Sequence, residues 1–261
     1  MPELPDVEVF RQYFDATSLH QRVTAVDTRD ARVLEDITPE TFREALTGRE
    51  FAASSRHGKN FFAHLDAGNF LLLHFGMTGE LKYFEHPDQE PDHTRVLFTF
   101  DNGWHLGYVN MRMLGKVNVI SSIDEYVEKQ SLGPDALQLS YDQFAGLLSS
   151  KRGMIKSAFM DQSLMAGLGN IYSDEVLYQS GIHPKRQMTG LGEDQYHTLY
   201  KKMCEVLNTA IDCQVDTTEF PENYLIKHRD QEDTCPRCGG DIRKIKVSSR
   251  STYFCPDCQP E

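Results

Sequence analysis

The chain opens MPELPDVEVF, and its second and third residues raise a question of chemistry. Removal of Met1, which the small Pro2 favours, would leave a secondary amine at the start of the mature chain with the Glu3 carboxylate beside it. An α-amino group has a pKa of about 8, so a fair fraction is free and nucleophilic at neutral pH. The same two residues also suit an ordinary, poorly ordered terminus.

A second group of residues speaks for a metal. Cys204 and Cys213 fall in a helical pattern and read as buried apolar residues, but Cys235, Cys238, Cys255 and Cys258 form two CxxC pairs, CPRC and CPDC. Each short turn presents two thiolates to one tetrahedral ion, which points to a single Zn2+. Four thiolates leave no open coordination position, so the zinc is structural. An iron–sulfur centre is the alternative; disulfides do not suit the cytoplasmic location expected below. Between the pairs, IRKIKVSSRSTYF alternates as a β-hairpin does, with Arg250 near its tip.

A third stretch, LMAGLGNIYSDE, sets Gly167 and Gly169 directly before a helix beginning near Asn170. Glycines allow close backbone approach, and a helix N-terminus offers free N–H groups to an anion. A plain tight turn has the same signature. Lys156 and the Asn170 amide would complete a phosphate site.

The surrounding elements follow from periodicity. PDVEVFRQYFDATSL carries Val7, Phe10 and Phe14 at helical spacing. From Arg22 to about Ile120 the segments RVTAVDTR, NFFAHL, NFLLLHF, ELKYF, RVLFTF, WHLGYV and KVNVI read as short strands, interrupted by one helical stretch, TPETFREALTG. Turn clusters separate them, which argues for an antiparallel sandwich or barrel. After Gly133-Pro134 the pattern is helical, with capping-box spacing at Ser140 and Gln143. The expected organisation is α+β and multidomain: residues 1–131 a helix plus antiparallel β-sandwich, 132–220 a helical domain, 221–261 a cysteine-bearing hairpin.

With 261 residues, a net charge of −12 and 39% hydrophobic residues, the composition is that of a globular chain. No apolar run approaches the roughly 18 residues of a membrane span, and no secretory signal is visible, so a cytoplasmic location is expected. The acidic balance is the wrong sign for a non-specific nucleic-acid binder. It is unevenly spread: residues 151–261 hold 14 Lys and Arg against 16 Asp and Glu, and the first 150 hold 13 against 23.

Taken together, these stretches resemble the family of formamidopyrimidine-DNA glycosylase and endonuclease VIII, in order and over the whole chain. PELPDVE looks like the family's N-terminal catalytic motif, with Asp6 where a glutamate is usual. RHGKNF resembles the segment that supplies a lysine, here Lys59, and HFGMTGEL the loop whose methionine, here Met77, fills the gap left by an extruded base. MDQSLMAGLGNIYSDEVLYQSGIHP resembles the helix–two-turn–helix signature, and SSRSTYFCPDCQ the zinc finger.

The resemblance implies a base-excision-repair enzyme acting on damaged double-stranded DNA, as a monomer, nucleoid-associated if the source is prokaryotic. Pro2 would attack C1′ of a flipped nucleoside and form an iminium, with Glu3 as general acid. β- and then δ-elimination would follow. Lys59, Asn170 and Arg250 would hold phosphates, with Lys156 and Tyr172 among the DNA contacts and Asp6, Glu8 and Glu175 as supporting carboxylates. The usual Asp-Pro-Arg-Arg-Phe-Gly run reads NMRMLG here. Arg112 matches the arginine facing the opposite base, Leu114 replaces an aromatic wedge, and Met113 stands where a second, phosphate-binding arginine is usual. A non-catalytic binder of damaged DNA on the same scaffold is the alternative, less suited to retention of Pro2, Glu3 and Lys59 together.

Overall fold

The computed structural model describes residues 2–230 and 233–261, and the chain divides into two compact units, residues 1–130 and 131–261. Among the described residues no helix is long and apolar enough to cross a membrane.

In the first unit, α1 (Leu4–Thr17) starts where Pro5 fits an early helical position and buries Val7 and Phe14. Phe10 is only partly buried, against the same core. Two four-stranded antiparallel sheets follow. One has the order β1 (Val23–Thr28), β6 (Thr94–Phe100), β7 (His105–Asn110), β5 (Gly79–Phe84). The other has the order β2 (Phe51–His57), β3 (Asn60–Leu65), β4 (Phe70–His74), β8 (Lys116–Ile120). Their inward residues, among them Val26, Phe61, Leu71, Val96, Phe98 and Val117, join one apolar core. Phe14 enters that core edge-on to Phe51 and Phe61, at centroid distances of 5.1 and 4.9 Å. Such offset geometry is favoured by the ring quadrupoles.

The seven anticipated strands are all present. An eighth, β2, carries the sequence FAASSRH, whose small polar residues give no alternating signal. It forms because β3 pairs with it, from Ala53↔His64 to His57↔Asn60 in register and, across a bulge, at Phe51↔Leu65. The anticipated helical stretch within the sandwich is α2 (Pro39–Leu46), capped by Thr38. A further helix, α3 (Ile123–Lys129), is capped by Ser122 and fully buries none of its residues, but Tyr126 packs edge-on to Phe62 at 5.9 Å and its OH donates to Asn60 Oδ1 at 3.2 Å.

In the second unit α4 (Tyr141–Ser149), α5 (Ile155–Met160), α6 (Asn170–Gln179) and α7 (Glu193–Asp212) lead to a hairpin of β9 (Arg243–Val247) and β10 (Arg250–Phe254). Ser140 and Gln143 form the capping box expected at α4. Helix α6 is nearly enveloped: eight of its residues, including Asp174 and Glu175, are buried. A helix shielded on all sides must satisfy its charges internally, and that requirement organises the site.

Candidate functional site

On the first unit, Glu3 is the N-cap of α1 and is buried, 1% exposed. Its backbone N–H donates to Asp6 Oδ2 at 2.8 Å, a bond that holds the turn directly behind Pro2. Burial pushes the Asp6 carboxyl up to about 6, against the opposing pull of the Glu3 N–H. Glu8, one turn on, is committed to ion pairs: it accepts from Arg11 at 2.6 Å and from Arg56 at 3.1 Å. Burial opposes its ionisation, but the two guanidinium groups outweigh that and hold it below the usual carboxylate range.

Lys59 lies in the two-residue turn between β2 and β3, after Gly58 at φ +57°. Arg56 Nη1 braces that turn by donating to Gly58 O at 2.9 Å. The next residue, Asn60, pairs with His74 on β4, which sequence reasoning did not single out. Burial, with the positive charges of Lys116 and Lys59, pushes the His74 imidazole down to about 4, so it is neutral at pH 7. Its Nδ1 accepts from Gly76 N at 3.3 Å, which leaves Nε2 to carry the hydrogen.

Met77 and the pair Arg112 and Leu114 sit on two adjoining loops, after β4 and β7. Arg112 N donates to Thr78 Oγ1 at 3.1 Å. At Gly76, with φ +61°, a Cβ would lie 2.4 Å from the Leu114 carbonyl, so only glycine permits this approach. Met77, Arg112 and Leu114 are all exposed.

On the second unit, Lys156 and Asn170 come together as anticipated, but differently aimed. Lys156 is wholly buried and its Nζ donates to Asn170 Oδ1 at 2.8 Å and Thr252 Oγ1 at 2.6 Å, beside Asp174 Oδ1 at 2.5 Å. Enclosed in this way, it would act on a phosphate only through Asn170. The Asn170 amide is fixed at both ends, since Nδ2 donates to Ser251 O at 2.9 Å, next to Arg250. Arg250 itself is exposed, directly after Ser248 and Ser249 at φ +46° and +65°. Arg229, outside every motif singled out above, donates to the other Asp174 oxygen at 2.7 Å, and Tyr253 N adds a bond at 3.1 Å.

Tyr172 is buried at 4% exposure. Glu175 accepts from Gln179 Nε2 at 2.7 Å, Ile226 N at 2.7 Å and Leu225 N at 3.2 Å. Burial raises its carboxyl to about 7 even against those donors. It therefore acts as a strut for residues 225–228.

The four paired cysteines converge. Their sulfurs all lie within 4.8 Å of one another, with Cys235 and Cys258 at 3.7 Å and Cys238 and Cys255 at 3.5 Å. A Zn–S bond of about 2.3 Å places tetrahedral sulfurs about 3.8 Å apart, so this donor set fits one zinc ion. The outer shell is in place as well. Tyr178 OH lies 3.1 Å from Cys235 Sγ, and Gln259 Oε1 accepts from Cys255 N at 3.1 Å while its Nε2 reaches Ile182 O at 2.8 Å.

Comparison with known proteins matches the chain domain by domain. Residues 1–117 match the model of the formamidopyrimidine-DNA glycosylase N-terminal domain, 132–222 that of its H2TH domain, and 233–260 that of the zinc finger found in FPG and IleRS. A formamidopyrimidine-DNA glycosylase of Solibacter usitatus is 32% identical, with 99% of each chain covered. One from Streptococcus pneumoniae is 31% identical, again over 99% of both chains. Among solved structures, the Lactococcus lactis Fpg in complex with abasic-site DNA superposes with a TM-score of 0.89 at 28% identity, over the full length of both chains. The same enzyme with DNA containing Fapy-dG superposes at 0.88 and 28% identity, over 99% of this chain and all of that one.

Proposed function

The chain belongs to the formamidopyrimidine-DNA glycosylase family, and from that premise we propose that it is a monomeric, cytoplasmic base-excision-repair enzyme that removes oxidised or ring-opened bases from double-stranded DNA and then cleaves the abasic strand. The observation that carries the reading is Glu3, a buried carboxylate capping α1 directly behind Pro2, in a chain of this family.

The target base is first rotated out of the stack, since its sugar cannot be reached inside a duplex. Met77 and Leu114 fill the space it leaves, and Arg112 faces the orphaned partner base. The free Pro2 nitrogen bonds to C1′ as the bond from C1′ to the base breaks, and the base leaves with a proton. Opening of the C1′–O4′ bond gives an iminium, and Glu3 supplies the proton that O4′ takes up. The iminium acidifies C2′–H. Loss of that proton expels the 3′ phosphate, a second elimination expels the 5′ phosphate, and hydrolysis frees Pro2. Lys59, Asn170 and Arg250 hold the phosphates, Asn170 being aimed by the buried Lys156. Zinc on the four cysteines supplies no bond making; it folds the hairpin that carries Arg250.

The substrate preference rests on the segment after α7. From residue 214 to 230 it consists of short turns, tied down at Leu225 and Ile226 by Glu175, with little chain to close over a large purine. Formamidopyrimidines or oxidised pyrimidines are therefore favoured over 8-oxoguanine.

Borohydride reduction in the presence of abasic-site duplex tests the mechanism. A covalent complex is expected from the wild type, and Pro2→Gly should lower its yield at least tenfold. A form that retains Met1, whose Pro2 nitrogen is an amide, should give none. Full trapping in that form would move the Schiff base to a lysine. No trapping or base release on any lesion, with binding intact, would leave a damage-binding protein.

A further inference from the structure

Three large apolar side chains are exposed among the described residues: Met77 at 38%, Met111 at 55% and Leu114 at 50%. All three stand on the two loops that follow β4 and β7. The loops behave as one platform: Arg112 N bonds Thr78, Asn110 Nδ2 donates to Phe75 O at 3.1 Å, and Gly76 presses on the Leu114 backbone. Gly115 is equally crowded, since a Cβ there would sit 1.9 Å from Tyr108 OH. Within the second loop Met113 takes a left-handed φ of +57° and packs against the sandwich core. Between residues 111 and 114, then, one methionine is anchored inward, and Met111, Arg112 and Leu114 are left outside.

Taking the chain as a DNA glycosylase, we infer that Met111 is a further DNA-inserting residue, so that the wedge is a three-pronged apolar device with Arg112 as its one cation. Met111 is the most exposed of the three, yet the mechanism above gives it no task. The occupant follows from chemistry. Flexible, polarisable thioethers pack well on aromatic faces, and apolar side chains wedge between base steps in bent duplexes. A guanidinium among them pairs with a base edge or stacks on a base. The three apolar prongs read shape, and hydrogen-bond reading of the opposite base falls to Arg112 alone.

The test uses the full-length enzyme, an abasic-site duplex with 2-aminopurine opposite the site, and the same lesion strand alone. Met111→Ser is expected to weaken the rise in 2-aminopurine fluorescence and to lower the ratio of duplex to single-strand cleavage on the order of tenfold, the scale of one base-stacking contact. Met111→Leu should restore both, with thermal stability unchanged in each variant. An unchanged ratio and fluorescence signal in Met111→Ser would overturn the inference, as would a change in oligomeric state accounting for the loss. A wild type that traps on no DNA would instead sink the glycosylase reading itself.

Discussion

Lys156 Nζ lies 2.5 Å from Asp174 Oδ1, and neither side chain is exposed to solvent at all. A cation that sequence reasoning aims at a phosphate is thus held inside the protein, where it fixes the Asn170 amide and, through Thr252, the zinc hairpin. Breaking such a pair from one side leaves an uncompensated buried charge, which costs roughly 3–5 kcal/mol. Lys156→Met should destabilise the second unit by about that much, less what Arg229 continues to neutralise. The sharper measurement is the salt dependence of DNA binding. Loss of a direct phosphate contact would flatten the slope by about 0.9, whereas loss of a buried strut should leave it unchanged while affinity falls.

Chelation gives an independent check on the metal. Trp104, the only tryptophan, stacks on Tyr83 in the first unit at 4.9 Å, so its emission reports on the sandwich alone. Stripping zinc, or Cys238→Ser, should abolish DNA binding and leave the Trp104 spectrum intact. One zinc per chain is expected by metal analysis; active protein without any would refute the structural assignment.

The pH response of α1 has a definite sign. The Asp6 carboxyl is raised to about 6 from an ordinary 3.8, so its contribution to stability is fully present below pH 3.8 and lost as pH rises through 6. Asp6→Asn keeps an acceptor for Glu3 N and removes the charge. It should match the wild type near pH 3 and exceed it at pH 8 by up to about 3 kcal/mol, from 1.36 kcal/mol per pKa unit. Denaturant titrations at the two pH values decide this.

At the hairpin tip, Ser248 and Ser249 both occupy the left-handed region, where two-residue hairpin turns favour Asn-Gly. A side chain there costs about 1–2 kcal/mol relative to glycine. Ser249→Gly should stabilise the hairpin by about that amount and slow amide exchange at Val247 and Arg250. The bond between Ser248 Oγ and Ser157 Oγ, 2.6 Å, is untouched by the change.

Lesion preference is settled by single-turnover excision across duplexes differing only in the damaged base. Formamidopyrimidines or oxidised pyrimidines should leave faster than 8-oxoguanine opposite cytosine. A wide margin the other way would show that the short turns after α7 still close over a purine.

Much of this protein is determined by sequence alone because its signals are local. Alternation marks the strands that bury one face, helical spacing marks α1 and α7, and a CxxC turn carries its own geometry. Strand β2 escapes because Ala52 to Ser55 bury too little to alternate, and only pairing with β3 makes them a strand. Lys156 shows the limit most clearly. Its type and position suggest a surface cation, but Asp174, Arg229 and Thr252 reach it from far along the chain. Whether a charge meets solvent or a counter-charge depends on which distant segments pack around it, and local pattern holds no record of that. The same holds for the loop 110–115: its apolar residues are plain to read, but which of them packs against the core, Met113, and which stands exposed, Met111, appears only in the folded chain, where Gly76 and Gly115 let the loops meet closely.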